Sequence, residues 1–235
     1  TGVYPISLET ASARIVLNQD GSIQIQMGAT EIGQGADTVF SQMAAEVLSL
    51  PMDKVYIFSE QDTDVSPYDS AAYASRQTYV SGKAIKKTAE SLKRKILDYA
   101  AWMLDMKADE LDLQHEKIIV RSTGEEGLHL EEVAMESCYS MKESNHLSAE
   151  ETSHCTDNCF SFGATFVEIE VDIPVGKIKV LNILNLHDSG TLINPQLAAA
   201  QVHGGMGMGL GAATAEQMLY DKKGKLLNGN LLDYK

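Results

Sequence analysis

Cysteine and long apolar runs are scarce in this 235-residue sequence, and each shortage argues against a class of protein. The three cysteines, Cys138, Cys155 and Cys159, are odd in number and sparse. Such a set argues against a disulfide framework and favours a reducing cytoplasm. No run of about 18 apolar residues is present, so no transmembrane helix is predicted. The content of 44% hydrophobic and 22% charged residues is ordinary for a globular protein.

Positive charge is also scarce. Nineteen Lys and Arg residues face 33 Asp and Glu residues, giving a formal net charge of −14. This balance disfavours nucleic acid or an anionic membrane as the main partner. An anionic ligand would therefore need local backbone dipoles rather than the field of the whole protein. The sequence begins at Thr1 without Met and ends in strand-like residues, so a piece of a longer polypeptide or a processed subunit is expected.

The most informative stretch is Gly28-Ala-Thr-Glu-Ile-Gly-Gln-Gly35, which follows an alternating, strand-like run and precedes a helical pattern. Glycines let a ligand approach the backbone closely, and free N–H groups at a helix start are expected to face that ligand. The amide of Gln34 can donate and accept hydrogen bonds at once, which suits a heterocycle or a metal oxo group. This geometry predicts an anionic, heterocyclic cofactor.

Periodicity predicts an α+β fold of two α/β halves, with mixed sheets and glycine-marked helices. Two hairpins are expected, at 12–27 and 161–187, the first through Asp20-Gly21. Helices are predicted after the glycine turn, over 81–103, from Leu130 and over 195–214. A short strand is expected at 54–59, another at 117–120, a polar loop over 60–80, a polar connector near 141–159 and a last hairpin over 216–228. We place the two halves at 1–145 and 146–235.

Three ordered segments together resemble the molybdenum hydroxylases, the xanthine dehydrogenase family. The first is Gly28–Gly35, which is similar to the family's Gly-x-x-Glu-(Met/Ile)-Gly-Gln-Gly motif. The second is Ala72-Tyr-Ala-Ser-Arg-Gln-Thr-Tyr-Val-Ser-Gly82, and the third is the stretch from Ile193 to Gly211 with its Asn-Pro and Gln-Val-His-Gly-Gly. Residues 162–172 also fit. Because order and spacing match across nearly the whole chain, the resemblance is specific.

The resemblance implies the second molybdopterin-binding domain of the large, molybdenum-containing subunit. It implies that the cofactor is contacted by three groups of residues: Gly33, Gln34 and Gly35; Ala72, Tyr73, Ala74, Ser75 and Arg76; and Gln201. Gln34 would lie near molybdenum, although no residue of the chain would bind the metal directly. The cofactor would be molybdopterin, either bare or as the cytosine dinucleotide, with 2Fe-2S and FAD groups on other domains or subunits.

The resemblance further implies that the intact enzyme hydroxylates a purine or related N-heterocycle. The family's catalytic glutamate lies in a Gly-Glu-Pro-Pro-like segment, which does not occur in residues 1–235. The Gly-Gly-Phe-Gly-Gly segment of the first molybdopterin domain and the iron–sulfur and flavin modules are also absent from this sequence. We therefore expect those modules as partners, no catalytic residue in this segment, and no turnover by the isolated chain.

Each candidate has a simpler interpretation. Gln34 can belong to a structural helix-start turn, Ser75 and Arg76 can form a helix cap and a surface salt bridge, and Glu31 can pair locally or support Gln34. The glycines at 204–211 can serve helix packing rather than ligand contact. His154, Cys155 and Cys159 partly match a zinc pattern, but ordinary loop residues are favoured. Asp62, Asp64 and Asp69 are interpreted as a solvated acidic loop.

Two other classes of function stay open at this stage. One is a non-catalytic structural or assembly subunit that keeps the fold without the cofactor. The other is a generic nucleotide-binding module that uses its glycine turns. Extraction of the cofactor followed by mass and metal analysis distinguishes all three.

Overall fold

The computed structural model describes residues 9–58, 61–157 and 159–230. They form two compact units, and the division along the chain falls between Cys159 and Phe160. The predicted halves, 1–145 and 146–235, stay a prediction. The first unit contains, in chain order, β1 (Thr10–Leu17), β2 (Ile23–Met27), α1 (Ala36–Leu48), β3 (Val55–Phe58), α2 (Gln77–Leu104), β4 (Leu111–Gln114), β5 (Lys117–Val120), β6 (Glu126–His129), α3 (Leu130–Tyr139) and β7 (Ser148–His154). The second unit contains β8 (Phe162–Asp172), β9 (Lys177–Asp188) and α4 (Pro195–Thr214).

The main sheet of the first unit has the strand order β3-β2-β1-β7. β1 pairs antiparallel with β2 and β7, whereas β2 pairs parallel with β3. The sheet is therefore mixed, and the predicted α+β class is confirmed. In β2 the residues alternate between buried and half-buried, so Ile23, Ile25 and Met27 point to the core. β4, β5 and β6 form a separate antiparallel sheet.

Helices α1 and α2 cover the buried face of the main sheet. Their apolar residues recur at helical spacing, and Phe40, Ala44 and Leu48 of α1 are buried. On α2 the buried stripe includes Ile85, Ala89, Leu92 and Ile96. Burial of one such large side chain contributes about 1.5–3 kcal/mol, so this layer supplies much of the driving force for folding. This packing also holds the first residues of α1 and α2, which adjoin the candidate site residues, at the same end of the unit.

Most predicted elements are confirmed, with four differences in the first unit. The strands β4 and β6 were not predicted. α2 begins at Gln77, four residues before the predicted start at Ser81. The predicted polar connector near 141–159 contains β7, whose seven residues pair with β1. Only Ala149 of this strand is apolar, so its sequence lacks the alternation that reveals half-buried strands. Pairing with β1, rather than hydrophobic pattern, makes it a strand.

The second unit consists of a long hairpin and a helix. β8 and β9 pair antiparallel along their whole length, as predicted, and α4 begins with Asn194, whose Oδ1 accepts a hydrogen bond from the N–H of Leu197 at 3.0 Å. Of the predicted last hairpin, the described residues show one bridge between Tyr220 and Leu226. None of the described residues from 160 to 230 is buried. Within the described residues, no helix is long and apolar enough to cross a membrane.

Candidate cofactor-binding site

The glycine turn connects β2 to α1. Gly33 and Gly35 have φ angles of 96° and 87°, in the left-handed region that side chains disfavour. Gly35 occupies the N-cap position of α1, so the helix starts directly at the end of the motif. Glycine at both positions is therefore a requirement of the backbone, and Gln34 is held between them.

The N–H groups of this turn bind a carboxylate of the same chain. Glu31 Oε1 accepts hydrogen bonds from Gly33 N at 2.7 Å and Gly35 N at 3.1 Å, and its Oε2 accepts one from Asp37 N at 3.1 Å. The expectation that these groups face a ligand is wrong, because Glu31 already satisfies them. Burial opposes ionisation of Glu31, but the backbone hydrogen bonds outweigh it and lower its pKa, so the carboxylate is charged at neutral pH.

Gln34 connects the glycine turn to the start of α2. Its Oε1 accepts a hydrogen bond from Ile32 N at 2.7 Å, and its Nε2 donates to Thr30 O at 3.0 Å. The same Nε2 donates to Gln77 Oε1 at 2.5 Å, and Gln77 Nε2 donates to Thr30 O at 3.0 Å. Sequence analysis did not single out Gln77, although an amide directly after the Ser-Arg pair was a usable signal. The two predicted site segments thus lie side by side.

The second segment ends in an unusual backbone conformation. Ala74 and Ser75 have φ angles of 48° and 56°, so two successive residues with side chains adopt the left-handed region. Ala72 and Ala74 are half-buried, and the Tyr73 and Ser75 side chains are exposed. Among the described residues, no side chain caps the start of α2. Its first N–H groups therefore lie beside small residues and have no side-chain acceptor.

Arg76, which was predicted to line the cofactor, is fully buried in an ion-pair cluster. Its Nε donates to Glu9, and its Nη1 donates to Asp69 Oδ1 at 2.5 Å. Nη1 also donates to Ala71 O at 2.9 Å, and Nη2 donates to Thr10 O at 3.1 Å. Both carboxylate side chains are fully buried as well. Four hydrogen bonds to its own chain thus occupy the guanidinium, which leaves little capacity for a phosphate.

The cluster also orders its surroundings. Burial disfavours the charged form of Arg76, but Asp69 and Glu9 outweigh it, so the pKa of Arg76 is raised. Tyr73 OH donates to Glu9, and this hydrogen bond raises the pKa of the phenol. Ser81 Oγ donates to Asp69 Oδ2 at 2.6 Å, which ties the cluster to α2. The alternative of an exposed salt bridge for Arg76 is therefore wrong in its exposure, although its pairing with carboxylates is confirmed.

Gly28 marks a close crossing of the two segments. A Cβ atom at this position would lie 2.5 Å from Pro67 O and 2.9 Å from Asp69 N. Real Cβ atoms do not approach backbone atoms so closely, so any larger residue would displace the loop. Gln61 Nε2 donates to Ala29 O at 3.0 Å and fixes the other end of the loop. Glycine at position 28 therefore allows the Asp69 segment to lie against the glycine turn.

Gln201 lies in the second unit, exposed on α4. Its predicted contact with the pterin stays a prediction. Cβ atoms at Gly205 and Gly209 would meet no atom of their own unit within 4 Å. No described residue of the unit therefore packs against this glycine face. Its packing against the cofactor stays a prediction.

The other candidate clusters have simpler surroundings. The described residues contain no group of three or more His, Cys, Asp or Glu side chains placed to hold a metal ion. Cys155 is buried, and burial raises its pKa. Cys159 is exposed, and no disulfide joins the three cysteines, all of which are described. Asp69 belongs to the Arg76 cluster rather than to a solvated acidic loop.

Comparison with known families decides which family the chain belongs to. Residues 1–235 match the family described as the molybdopterin cofactor-binding domain. The chain belongs to this family. The molybdopterin-binding domain implied by the sequence resemblance is thereby confirmed, and the chain is similar to the corresponding part of xanthine dehydrogenase-like molybdenum hydroxylases.

Similar proteins agree on this assignment. The domain is 49% identical over 237 residues to the xanthine dehydrogenase molybdenum-binding subunit of Escherichia coli O157:H7, covering 100% of the chain and 32% of that protein. It is 30% identical over 225 residues to the carbon monoxide dehydrogenase large chain of Afipia carboxidovorans, covering 95% and 28%. The reconstituted CO dehydrogenase structure from Oligotropha carboxidovorans superposes with a TM-score of 0.86 at 31% identity, covering 96% and 28%. The domain thus spans about a third of the length of these relatives.

Proposed function

We propose that the domain holds one side of the molybdopterin cofactor in an enzyme that hydroxylates a purine or a related N-heterocycle. The observation that carries this proposal is the direct hydrogen bond between Gln34 and Gln77, which joins the glycine turn to the start of α2. The high identity to a protein named as a xanthine dehydrogenase subunit supports the substrate class. Relatives named for carbon monoxide or nicotine show that the fold alone does not fix the substrate.

The residues of the two segments fit such a cofactor. A pterin presents donors and acceptors along one edge, which amides and backbone groups can match. The small side chains of Ala72 and Ala74 leave room beside the backbone, and the start of α2 offers N–H groups to an anionic arm. We propose that Gly33, Gln34, Gly35, Ala72, Tyr73, Ala74 and Ser75 contact the cofactor, with Gln201 contributing from α4. Arg76 would support the backbone of this segment rather than contact the cofactor with its side chain, because that side chain is buried.

The cofactor supplies the redox chemistry when bound, and the residues of this domain bind and orient it. Gln34 is suited to hold a polar group of the cofactor, because the second lone pair of its Oε1 is not used by Ile32 N. We propose that the base for the reaction comes from outside these 235 residues. The proposed partners are the first molybdopterin domain and the iron–sulfur and flavin modules, in a cytoplasmic complex. The sparse, unpaired cysteines support that location.

The test is the Gln34→Ala variant of the intact protein that carries this domain. Removing a hydrogen-bonding partner from a site that the cofactor covers costs about 1–3 kcal/mol, so we expect molybdenum content or turnover of xanthine and hypoxanthine to fall roughly five- to 150-fold. The melting temperature should change less, because the Gln34 side chain is only half-buried. Gln24→Ala, on β2 outside both segments, is the matched control and should behave as wild type. Unchanged molybdenum content together with unchanged turnover in Gln34→Ala would exclude the assigned role.

Mass and metal analysis of the wild-type protein distinguishes the other functional classes. Molybdopterin with molybdenum in the extract supports the proposal. A protein without cofactor indicates a structural or assembly subunit, and a different bound nucleotide indicates a generic nucleotide-binding module. Either of these last two results contradicts the proposed function.

A further inference from the structure

The two helix starts of the site satisfy their N–H groups in different ways. At α1, the carboxylate of Glu31 accepts three backbone hydrogen bonds, and Asp37 adds a second acidic residue in the first turn. At α2, the first turn has no acidic residue and no side-chain cap within the described chain. One helix start thus contains its own anion, and the other does not.

We propose that Glu31 is a positioning residue, whose carboxylate holds the glycine turn so that Gln34 faces the cofactor. This inference rests on the proposed function and adds a role for Glu31 in fixing the turn. It assigns no ligand contact to Glu31 itself.

The hydrogen bonds of Glu31 act on the residues next to Gln34. Gly33 N and Gly35 N belong to the residues immediately before and after Gln34, and both donate to Oε1 of the same carboxylate. Glycine is the most flexible residue type, and Gly33 and Gly35 adopt φ angles in the left-handed region here. Without the carboxylate, the turn would gain conformational freedom on both sides of Gln34. A fixed acceptor therefore restricts the residue that contacts the cofactor.

The experiment compares Glu31→Ala and Glu31→Gln with wild type in the intact protein. Glu46→Ala, an exposed glutamate on α1, is the matched control. We expect Glu31→Ala to lose molybdenum about tenfold and to speed hydrogen exchange of the amides of Gly33, Gly35 and Asp37. Glu31→Gln keeps one acceptor oxygen and should fall between Glu31→Ala and wild type.

Rescue by a small anion separates positioning from a general loss of structure. Formate is a carboxylate that can fill the vacated space, so increasing formate should slow exchange of these amides in Glu31→Ala and restore part of the molybdenum content. It should have no such effect on wild type or Glu46→Ala. Because formate can also act at the metal, the amide exchange is the deciding readout.

Three results would overturn the inference. Full molybdenum content and normal amide exchange in Glu31→Ala would show that the carboxylate positions nothing. Tighter cofactor retention in that variant would show that the anionic arm competes with Glu31 for the start of α1. Equal effects of formate on all variants would show an unspecific salt effect. If wild type holds no molybdopterin, the proposed function fails, whereas the amide exchange still decides whether Glu31 fixes the turn.

Discussion

At the scale of single residues, the site depends on charged groups that serve the fold. Arg76 combines full burial with two carboxylate partners, and neither partner belongs to a sequence motif. A buried charge is tolerated only when it is paired and hydrogen-bonded, so Arg76 holds Glu9, Asp69 and Ala71 in fixed positions. The backbone of the following residues takes its shape from these anchors. Arg76 is therefore best understood as the structural support of the Ala72–Arg76 segment.

Replacement of Arg76 by Met should destabilise the first unit by about 3–5 kcal/mol, because it leaves two buried carboxylates without their cation. Asp69→Asn should be costly for the same reason, and the double variant should cost less than the sum of the single variants. Urea unfolding of the cofactor-free protein measures both effects. Lys93→Met is the control, because its ion pair with Asp112 is partly exposed and such pairs contribute about 0–1 kcal/mol. A loss below 1 kcal/mol in Arg76→Met would mean that the guanidinium is not a structural centre.

At the scale of elements, the sequence predicted the helices and strands that have a hydrophobic periodicity or a turn signal. The first hairpin, α1, the β8–β9 hairpin and α4 are all confirmed, because apolar spacing and the Asp-Gly and Asn-Pro signals are local. β7 was missed because its sequence is polar and its partner β1 lies far away in the chain. The glycine turn and the Ala72–Arg76 segment were found through their motifs.

The partners within the site could not be predicted in the same way. Glu9 precedes β1 and reaches Arg76 across a sequence separation of 67 residues, so only the folded sheet brings them together. Glu31 was noticed, but its bonds to three N–H groups depend on the left-handed angles of Gly33 and Gly35. Sequence motifs thus locate a site, and long-range packing decides which side chains remain available to a ligand.

The start of α1 should weaken in acid because of Glu31. Its pKa is lowered in the folded protein, so its contribution is present above the ordinary value of 4.5 and is lost as pH falls through the folded-state pKa. As pH falls from about 5 through the folded-state pKa of Glu31, the difference in stability between wild type and Glu31→Gln should shrink toward zero. Asp20 and Asp112 also have lowered pKa values, so only this difference isolates Glu31. Melting curves across this range measure it, and a pH-independent difference would contradict the assignment.

At the scale of the whole molecule, the two units differ in how much they bury. The first unit has a continuous apolar core that spans β1, β2, α1 and α2. The second unit has no buried residue among those described, and large apolar side chains such as Phe162, Ile173 and Met208 are more than two thirds exposed. Apolar surface on this scale is unfavourable in water. Because the domain spans about a third of its relatives, the rest of such a subunit offers surface for burial.

Hydrogen exchange should reveal this difference. In the separate 235-residue chain, amides of β1, β2 and α2 should exchange slowly, whereas those of β8, β9 and α4 should exchange close to the rate of open structure. In the intact protein, the amides of β8, β9 and α4 should exchange at least about tenfold more slowly than in the separate chain. Mass spectrometry of peptic fragments from both forms makes the comparison. Strong protection of β8 and β9 in the separate chain would show that the second unit is stable without additional burial.

The crossing at Gly28 has a practical consequence for studying the domain. The loop that follows β3 is fixed at Gln61 by Ala29 O and again where Pro67 and Asp69 press against Gly28. Between these anchors, Thr63, Asp64 and Val65 are exposed. A fluorescent label attached at Thr63 would therefore lie on an exposed segment that is held against the glycine turn at both ends. Its emission would report whether loading of the cofactor shifts this loop, with the chemistry of the site left as it is.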